Sequence, residues 1–167
     1  IVATGSLQKT LNERLGLPIR PVKGQVTHLD QKQQNIELKK ALTHDGYAAP
    51  HAKGAVTGAT FEAPDMTMSI SQESHLHNLT AVQKALPEWL NKSASHLSAE
   101  VGGRVAFRPT TPDHLPIIGA VPNFDWMHEA YLSQSHTHAV YRYPEQKYQH
   151  GLYVSNGHGP RGLMSVF

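Results

Sequence analysis

Apolar positions along the chain follow two rhythms, one of period near 3.6 and one of period two. Leu7, Leu11 and Leu15 recur every four residues between Ser6 and Gly16, which predicts a short helix stopped by Gly16 and Pro18. Ile19 to Leu29 alternates through Val22, Val26 and Leu29 and predicts a strand, interrupted by Pro21 and Gly24 in a way that signals a bulge or a close approach of backbone to a ligand. After a polar turn at 31–35, Ile36–Leu42, Gly46–Pro50 and Ala55–Phe61 read as short strands. The intervening His44-Asp45-Gly46 and Ala52-Lys53-Gly54 are hairpin turns, so these strands form an antiparallel meander. Ser69 followed by Gln72 predicts a capped helix start, and Leu76, Leu79, Val82 and Leu86 form one apolar helical face that Pro87 ends.

In Arg104–Arg108, Val105 and Phe107 fall on one side of a strand, with Arg104, Ala106 and Arg108 on the other. A polar loop at 109–116 leads to a short strand at Ile117–Val121. The aromatic, His-bearing stretch from Asn123 to Gln149 shows little periodicity beyond a brief helix near Trp126. Leu152–Ser155 reads as a buried strand running into Asn156-Gly157-His158-Gly159-Pro160-Arg161-Gly162 and then an apolar helix start. The predicted fold class is α+β, an antiparallel-rich mixed sheet with flanking helices. The chain opens on apolar Ile1-Val2-Ala3 and closes on Leu163-Met164-Ser165-Val166-Phe167, so it reads as a piece of something larger.

Composition narrows the chemistry. A chain of 167 residues and 18.4 kDa can bury a core of its own. With 39% hydrophobic residues and no long apolar run, it reads as a soluble, cytoplasmic domain without a membrane partner. The absence of cysteine excludes disulfides, thiolate metal sites and a thiol nucleophile. A net charge of +2 is too mild to demand a nucleic-acid partner. Twelve histidines stand out, but His75-x-His77 and His136-x-His138 lack the spacing of a metal site, so none is predicted.

Three groups of residues carry candidate chemistry. In the turn Gly157–Gly162, three glycines and the positive end of a following helix suit an anion or an electron-rich ring edge, and Arg161 adds a full charge. Arg104 and Arg108 could hold a carboxylate by a two-pronged contact, or simply form a solvated strand face. Tyr47 follows a turn and either offers its hydroxyl to a ligand or sits half-buried in a strand. No Gly-x-Ser-x-Gly elbow or phosphate loop occurs, and no Gly-x-Gly-x-x-Gly spacing other than that of Gly157–Gly162 itself.

Taken in order, Ala3-Thr4-Gly5, Pro21-Val22-Lys23-Gly24-Gln25-Val26, Asp45-Gly46-Tyr47, Gly58-Ala59-Thr60, the run from Arg108 to Gly119, and Asn156 to Gly162 resemble the C-terminal half of FAD-dependent amine oxidases of the D-amino-acid-oxidase and glycine-oxidase superfamily. Gly24-Gln25-Val26-Thr27-His28 and Asp113 to Pro122 look most like the oxidoreductase part of the bifunctional enzymes that modify the tRNA wobble uridine. The resemblance implies FAD as cofactor, tRNA as partner, and a parent carrying an N-terminal FAD-binding part and a SAM-dependent methyltransferase. It further implies three segments: residues 1–5 as the end of the Rossmann-like part, 6–150 as the substrate-binding sheet domain, and 151–167 as the flavin-contacting strand, turn and helix start.

The implied reaction passes a hydride from the methylene between amine and carboxylate of 5-carboxymethylaminomethyl-uridine to flavin N5, leaving an imine that water hydrolyses to the free amine and glyoxylate. By resemblance Arg108 clamps the substrate carboxylate, while Arg161 and Tyr47 lie beside substrate and flavin. Thr4, Gly5, Gly24, Gln25, Gly157, His158, Gly159, Pro160, Arg161, Gly162 and Leu163 contact the cofactor, and Lys23 stands where many relatives have Arg. Without the N-terminal strand and glycine fingerprint that the resemblance assigns to the ADP half of FAD, the 167-residue polypeptide is expected to be inactive alone. Two other readings remain open: a small-molecule glycine, sarcosine or D-amino-acid oxidase, and a non-enzymatic module for an anion or RNA.

Overall fold

The computed structural model describes residues 1–63, 65, 67–132 and 144–160. It contains α1 (Lys9–Arg14), β1 (Arg20–Asp30), β2 (Leu42–Thr43), β3 (Tyr47–His51), β4 (Gly54–Gly58), α2 (Gln72–Ala85), α3 (Ala94–Leu97), β5 (Gly102–Thr110), β6 (Ile117–Pro122), α4 (Phe124–Tyr131) and β7 (Tyr148–Asn156). The chain divides into two compact units, one of Ile1–Arg20 with the described part of 109–167, the other Pro21–Arg108.

The second unit is built on a five-stranded sheet in the order β2-β3-β4-β1-β5. The meander is antiparallel as its turn residues predict, with Tyr47 opposite Gly58 in β4 and Val26 opposite the same Gly58 from β1. One sheet face packs on α2 and α3 through Leu29, Ala48, Ala55, Leu79, Val82, Trp89, Leu90, Ala94 and Leu97. The other face, discussed below, is open.

Three local expectations change. Residues 36–41 form no strand, and only Leu42 and Thr43 pair with β3. The Asn35 amide instead donates to Trp89 O at 2.8 Å, and Trp89 Nε1 donates to Ile36 O at 2.9 Å, so the segment that follows α2 takes up the backbone groups a ladder would have used. The cap of α2 is Ser71, not Ser69, its Oγ accepting from the Ser74 amide. The buried side of α2 includes His75 and Asn78 with Leu79 and Val82, while Leu76 is 40% exposed. The sheet beneath presents Gln25 and Thr27 as well as Leu29, so the helix must answer with hydrogen-bonding groups.

The first unit holds the antiparallel pair β6–β7, with Ile117 opposite Asn156 and Pro122 opposite Tyr148. Its core gathers Leu15, Val121 and Val154, with Leu11, Leu17, Ile117 and Phe124 against them. Val2 bridges to Val154 in parallel and so adds the start of the chain to the edge of this sheet, while Ile1 stays exposed. Gly16 adopts a left-handed φ of 59° beside the Phe124 ring, ending α1 as expected.

Candidate active site

Alternation within the second unit sorts side chains cleanly between its two faces. Odd-numbered residues of β1 (Lys23, Gln25, Thr27 and Leu29) are buried. Gly24, Val26 and His28 face the other way and line a groove of about 460 Å³ with Tyr47, His51, Val56, Arg104, Ala106 and Arg108. The groove wall contains two arginines and no carboxylate, so its field favours an anion.

Arg108 is its most constrained cation. The guanidinium is half-buried and Nη1 donates to Thr60 O at 3.1 Å. Its carbon lies 4.4 Å from the centroid of the Phe61 ring, a cation–π contact. Burial lowers its pKa from the usual arginine value while nearby Tyr47 raises it, and an arginine remains cationic throughout the neutral range. No carboxylate among the described residues pairs with it. One carbonyl and one ring leave most of its five donors available in a fixed orientation.

Gly24 is what makes room. A Cβ built there would lie 2.6 Å from both Cζ and Nη2 of Arg108, so any other residue would displace the guanidinium. Sequence reasoning expected a bulge or close approach at Gly24, and the approaching group is this side chain. Tyr47 is 38% exposed on the same groove. Arg104 is also there and exposed, so the strand-face alternation did bring both arginines to one surface.

Gln25 stands apart. Its side chain is fully buried on the helix side, where Nε2 donates to Ser71 O and Oε1 accepts from the Ser71 amide, both at 2.7 Å. It braces the entry to α2 and is buried on the face opposite the groove. Lys23 is likewise turned from the groove and only 4% exposed, with Nζ 2.9 Å from Asp65 Oδ2. That ammonium, together with the Thr67 amide, holds the Asp65 carboxyl down at about 2.

In the first unit, Gly5 and the turn after β7 are tied together. Asn156 Nδ2 donates to Gly5 O at 3.1 Å, Asn12 Nδ2 donates to the same oxygen at 3.1 Å, and the Gly157 amide donates to Asn156 Oδ1 at 2.8 Å. Gly157 and Gly159 are left-handed at φ 73° and 54°. A Cβ on Gly157 would meet Thr111 Cγ2 at 2.7 Å, so packing as well as φ demands glycine. His158 Nε2 lies 3.1 Å from Ser155 Oγ. Thr4, Gly5, Gly157, His158, Gly159 and Pro160 are thus neighbours in one unit, while Gly24, Tyr47 and Arg108 are neighbours in the other. Arg161, Gly162 and Leu163, like His136 and His138, lie outside the described residues. Among the described residues no cluster of His, Asp or Glu could hold a metal, and no helix is long and apolar enough to cross a membrane.

Sequence reasoning missed Phe61 and Thr60 as supports of Arg108, because neither is periodic with it. It also missed His28 and His51, which face the groove with rings stacked at 5.7 Å and 15°. Strand alternation from Gly24 and Tyr47 is the signal that would have found both.

Comparison with known proteins identifies the family and the fold. The chain is 57% identical over 175 residues to the tRNA 5-methylaminomethyl-2-thiouridine biosynthesis bifunctional protein MnmC of Hydrogenovibrio crunogenus, covering all of this chain and 25% of that one. The protein of the same name from Saccharophagus degradans is 34% identical over 167 residues, covering 98% of this chain and 23% of its own length. The chain therefore spans about a quarter of the length of the curated relatives it matches. Among solved structures, glycine oxidase from Geobacillus kaustophilus aligns over 97% of this chain and 36% of its own, with TM-score 0.63 and 19% identity. Iminodiacetate oxidase from Chelativorans sp. BNC1 aligns over 97% of this chain and 37% of its own, with TM-score 0.59 and 24% identity, and both share the mixed α+β fold. Residues 1–167 match the FAD dependent oxidoreductase (DAO) family along their whole length, and the chain belongs to that family of flavoenzymes.

Proposed function

We propose that the open sheet face binds the carboxylate of a secondary amine during FAD-dependent removal of the carboxymethyl group, released as glyoxylate, from 5-carboxymethylaminomethyl-uridine in tRNA. One observation carries this reading: the guanidinium of Arg108, braced by Thr60 O and Phe61 over Gly24, faces a groove that contains no acid to neutralise it. A carboxylate supplies the missing charge and accepts two parallel N–H bonds. The relatives' names point to a 5-methylaminomethyl product, the amine left when a carboxymethyl group is lost and a methyl is then added. Modification of tRNA also fits a cytoplasmic protein.

Within this reading Arg108 anchors the substrate's carboxylate and thereby aims the adjacent methylene. Tyr47, opposite Gly58 one strand from Val26, presents its hydroxyl toward the amine end of the same groove. Bound FAD would accept the two electrons and the hydrogen removed from that methylene. The residues here fit the ring end of FAD: Gly157 and Gly159 are left-handed and carry no side chain, and Asn156 fixes the turn through Gly5 O and the Gly157 amide, so a flat ring could approach its backbone. By resemblance Arg161, Gly162 and Leu163 also contact the cofactor. Gln25, with its side chain spent on Ser71 and its backbone on Thr60 and Asn78, would serve by fixing the strand that carries Gly24.

The test is Arg108→Ala in the intact protein, assayed on a stem-loop RNA carrying the carboxymethyl modification. Truncating one member of a half-buried charge pair costs ~2–5 kcal/mol, so KM should rise steeply. Arg108→Lys should recover only part of the loss, because a point charge cannot make the two-pronged contact. Unchanged kinetics in Arg108→Ala would refute the clamp. Turnover of glycine or sarcosine in preference to the modified RNA would refute the tRNA substrate.

A further inference from the structure

The carboxylate clamp uses one end of the groove, and the chemistry of the other end is different. Arg104 lies four residues from Arg108 on the same side of β5, and His28 four residues from Gly24 on the same side of β1, about 13 Å along each strand. A Cβ on Gly103 would touch Val26 O, whereas Arg108 lies over Gly24, so the path from Arg108 to Arg104 follows the path from Gly24 to His28. On β3, Tyr47 is level with Val26 and His51 with Asp30, which carries His51 to the same far end. There the His28 and His51 rings stack, 5.7 Å between centroids and 15° apart, and both side chains are exposed. No salt bridge among the described residues involves Arg104.

We infer that His28, His51 and Arg104 form a nucleotide subsite for single-stranded RNA, in which a base stacks on the imidazole pair and a phosphate pairs with Arg104. A free amino acid would need only the Arg108 end. A modified nucleotide whose carboxylate sits at Arg108 extends across its methylenes, amine, pyrimidine and ribose before reaching a phosphate, a span that carries it toward Arg104. Flat aromatic faces beside an unpaired guanidinium are the recognition chemistry of unstacked RNA bases, histidine included. The wall of the groove lacks any acid that would repel the phosphate. This inference rests on the tRNA reading proposed above and adds to it the residues that select a polynucleotide.

The experiment is fluorescence anisotropy with the intact, FAD-loaded protein and two labelled anticodon stem-loops, one carrying 5-carboxymethylaminomethyl-uridine and one unmodified. His28→Ala and His51→Ala should each weaken binding of the modified stem-loop by roughly 5- to 100-fold. His28→Phe and His51→Phe should restore it, since a ring is retained. Arg104→Gln should lower the slope of log Kd against log salt by about 1, while Arg104→Lys preserves it. If the native protein prefers the modified stem-loop but the alanine and glutamine variants bind it unchanged, the subsite is wrong and the tRNA reading stands. Loss of binding in the phenylalanine variants as well overturns stacking. If the native protein shows no preference for the modified stem-loop, both readings fall together.

Discussion

At the scale of single residues, Gly24 and Arg108 behave as one device. Gly24 has ordinary strand geometry, so alanine would impose no backbone strain there, and its methyl would collide only with the far end of a flexible side chain. Gly24→Ala should therefore leave the thermal midpoint within a few degrees of the native protein, a stability change below about 1 kcal/mol. The same methyl pushes the guanidinium off its seat, so KM for the carboxylate substrate should rise toward that of Arg108→Ala. Calorimetry and steady-state kinetics on one preparation test the pair of statements, and a KM equal to native would sink them. Arg108 and Arg104 were legible in the sequence because strand alternation places both opposite Val105 and Phe107. Gly24 was legible only as an interruption, since nothing local names a partner 84 positions along the chain. Gln25 shows the opposite limit: it adjoins a groove residue, and strand period alone puts its side chain on the buried face.

At the scale of elements, the seam between β1 and α2 is polar where an apolar stripe was expected. Asn78 Nδ2 donates to Gln25 O at 3.0 Å and to Thr27 Oγ1 at 3.2 Å, and Thr27 Oγ1 lies 2.8 Å from His75 Nδ1. With the Thr27 oxygen accepting from Asn78, its proton goes to His75 Nδ1, which places the ring hydrogen on Nε2, a buried atom without a partner. Asn78→Leu would remove both hydrogen bonds, leaving Gln25 O with the Thr60 amide as its remaining donor, and should cost about 1–3 kcal/mol by chemical denaturation. Burial, reinforced by the nearby His28, pushes the His75 pKa below its usual 6.5. The sign follows: above that value both folded and unfolded forms are neutral, and below it the unfolded chain takes a proton that the folded one resists. Stability should thus fall as pH drops below about 6.5, and His75→Gln should flatten that fall in midpoints measured between pH 8 and 5; an identical slope would sink the assignment. The helix itself was readable from Leu79, Val82 and Pro87. Its cap and buried edge were not, because they are set by Gln25 and Thr27, some fifty residues away. The strand expected at 36–42 failed for a similar reason, its β-prone residues being claimed by Trp89.

At the scale of the whole molecule, two compact units carry two kinds of candidate residue, and their chemistry bears on what the 167-residue polypeptide can do alone. The unit of 21–108 presents the cationic groove proposed above for a carboxylate and a nucleotide. The described part of the other presents a turn with left-handed Gly157 and Gly159, proposed for one ring edge and worth a few hydrogen bonds at most. FAD has in addition a pyrophosphate and an adenosine, and the one Gly-x-Gly-x-x-Gly spacing in the sequence, Gly157 to Gly162, is the turn already given to the ring end, so no second glycine turn is left to receive them. Deprived of that contribution, a few neutral contacts must offset the whole loss of translational and rotational freedom on binding, which is on the order of 4–15 kcal/mol. The isolated polypeptide should therefore bind FAD more weakly than micromolar and show no turnover, while still binding the modified stem-loop through its groove. Circular dichroism establishes that it is folded, flavin absorbance follows the first titration, and anisotropy follows the second. Micromolar or tighter FAD affinity with a shifted flavin spectrum would overturn this and show that the polypeptide holds the pyrophosphate and adenosine by itself. Failure of the folded polypeptide to distinguish modified from unmodified stem-loop would instead remove the groove from recognition of the carboxymethyl group.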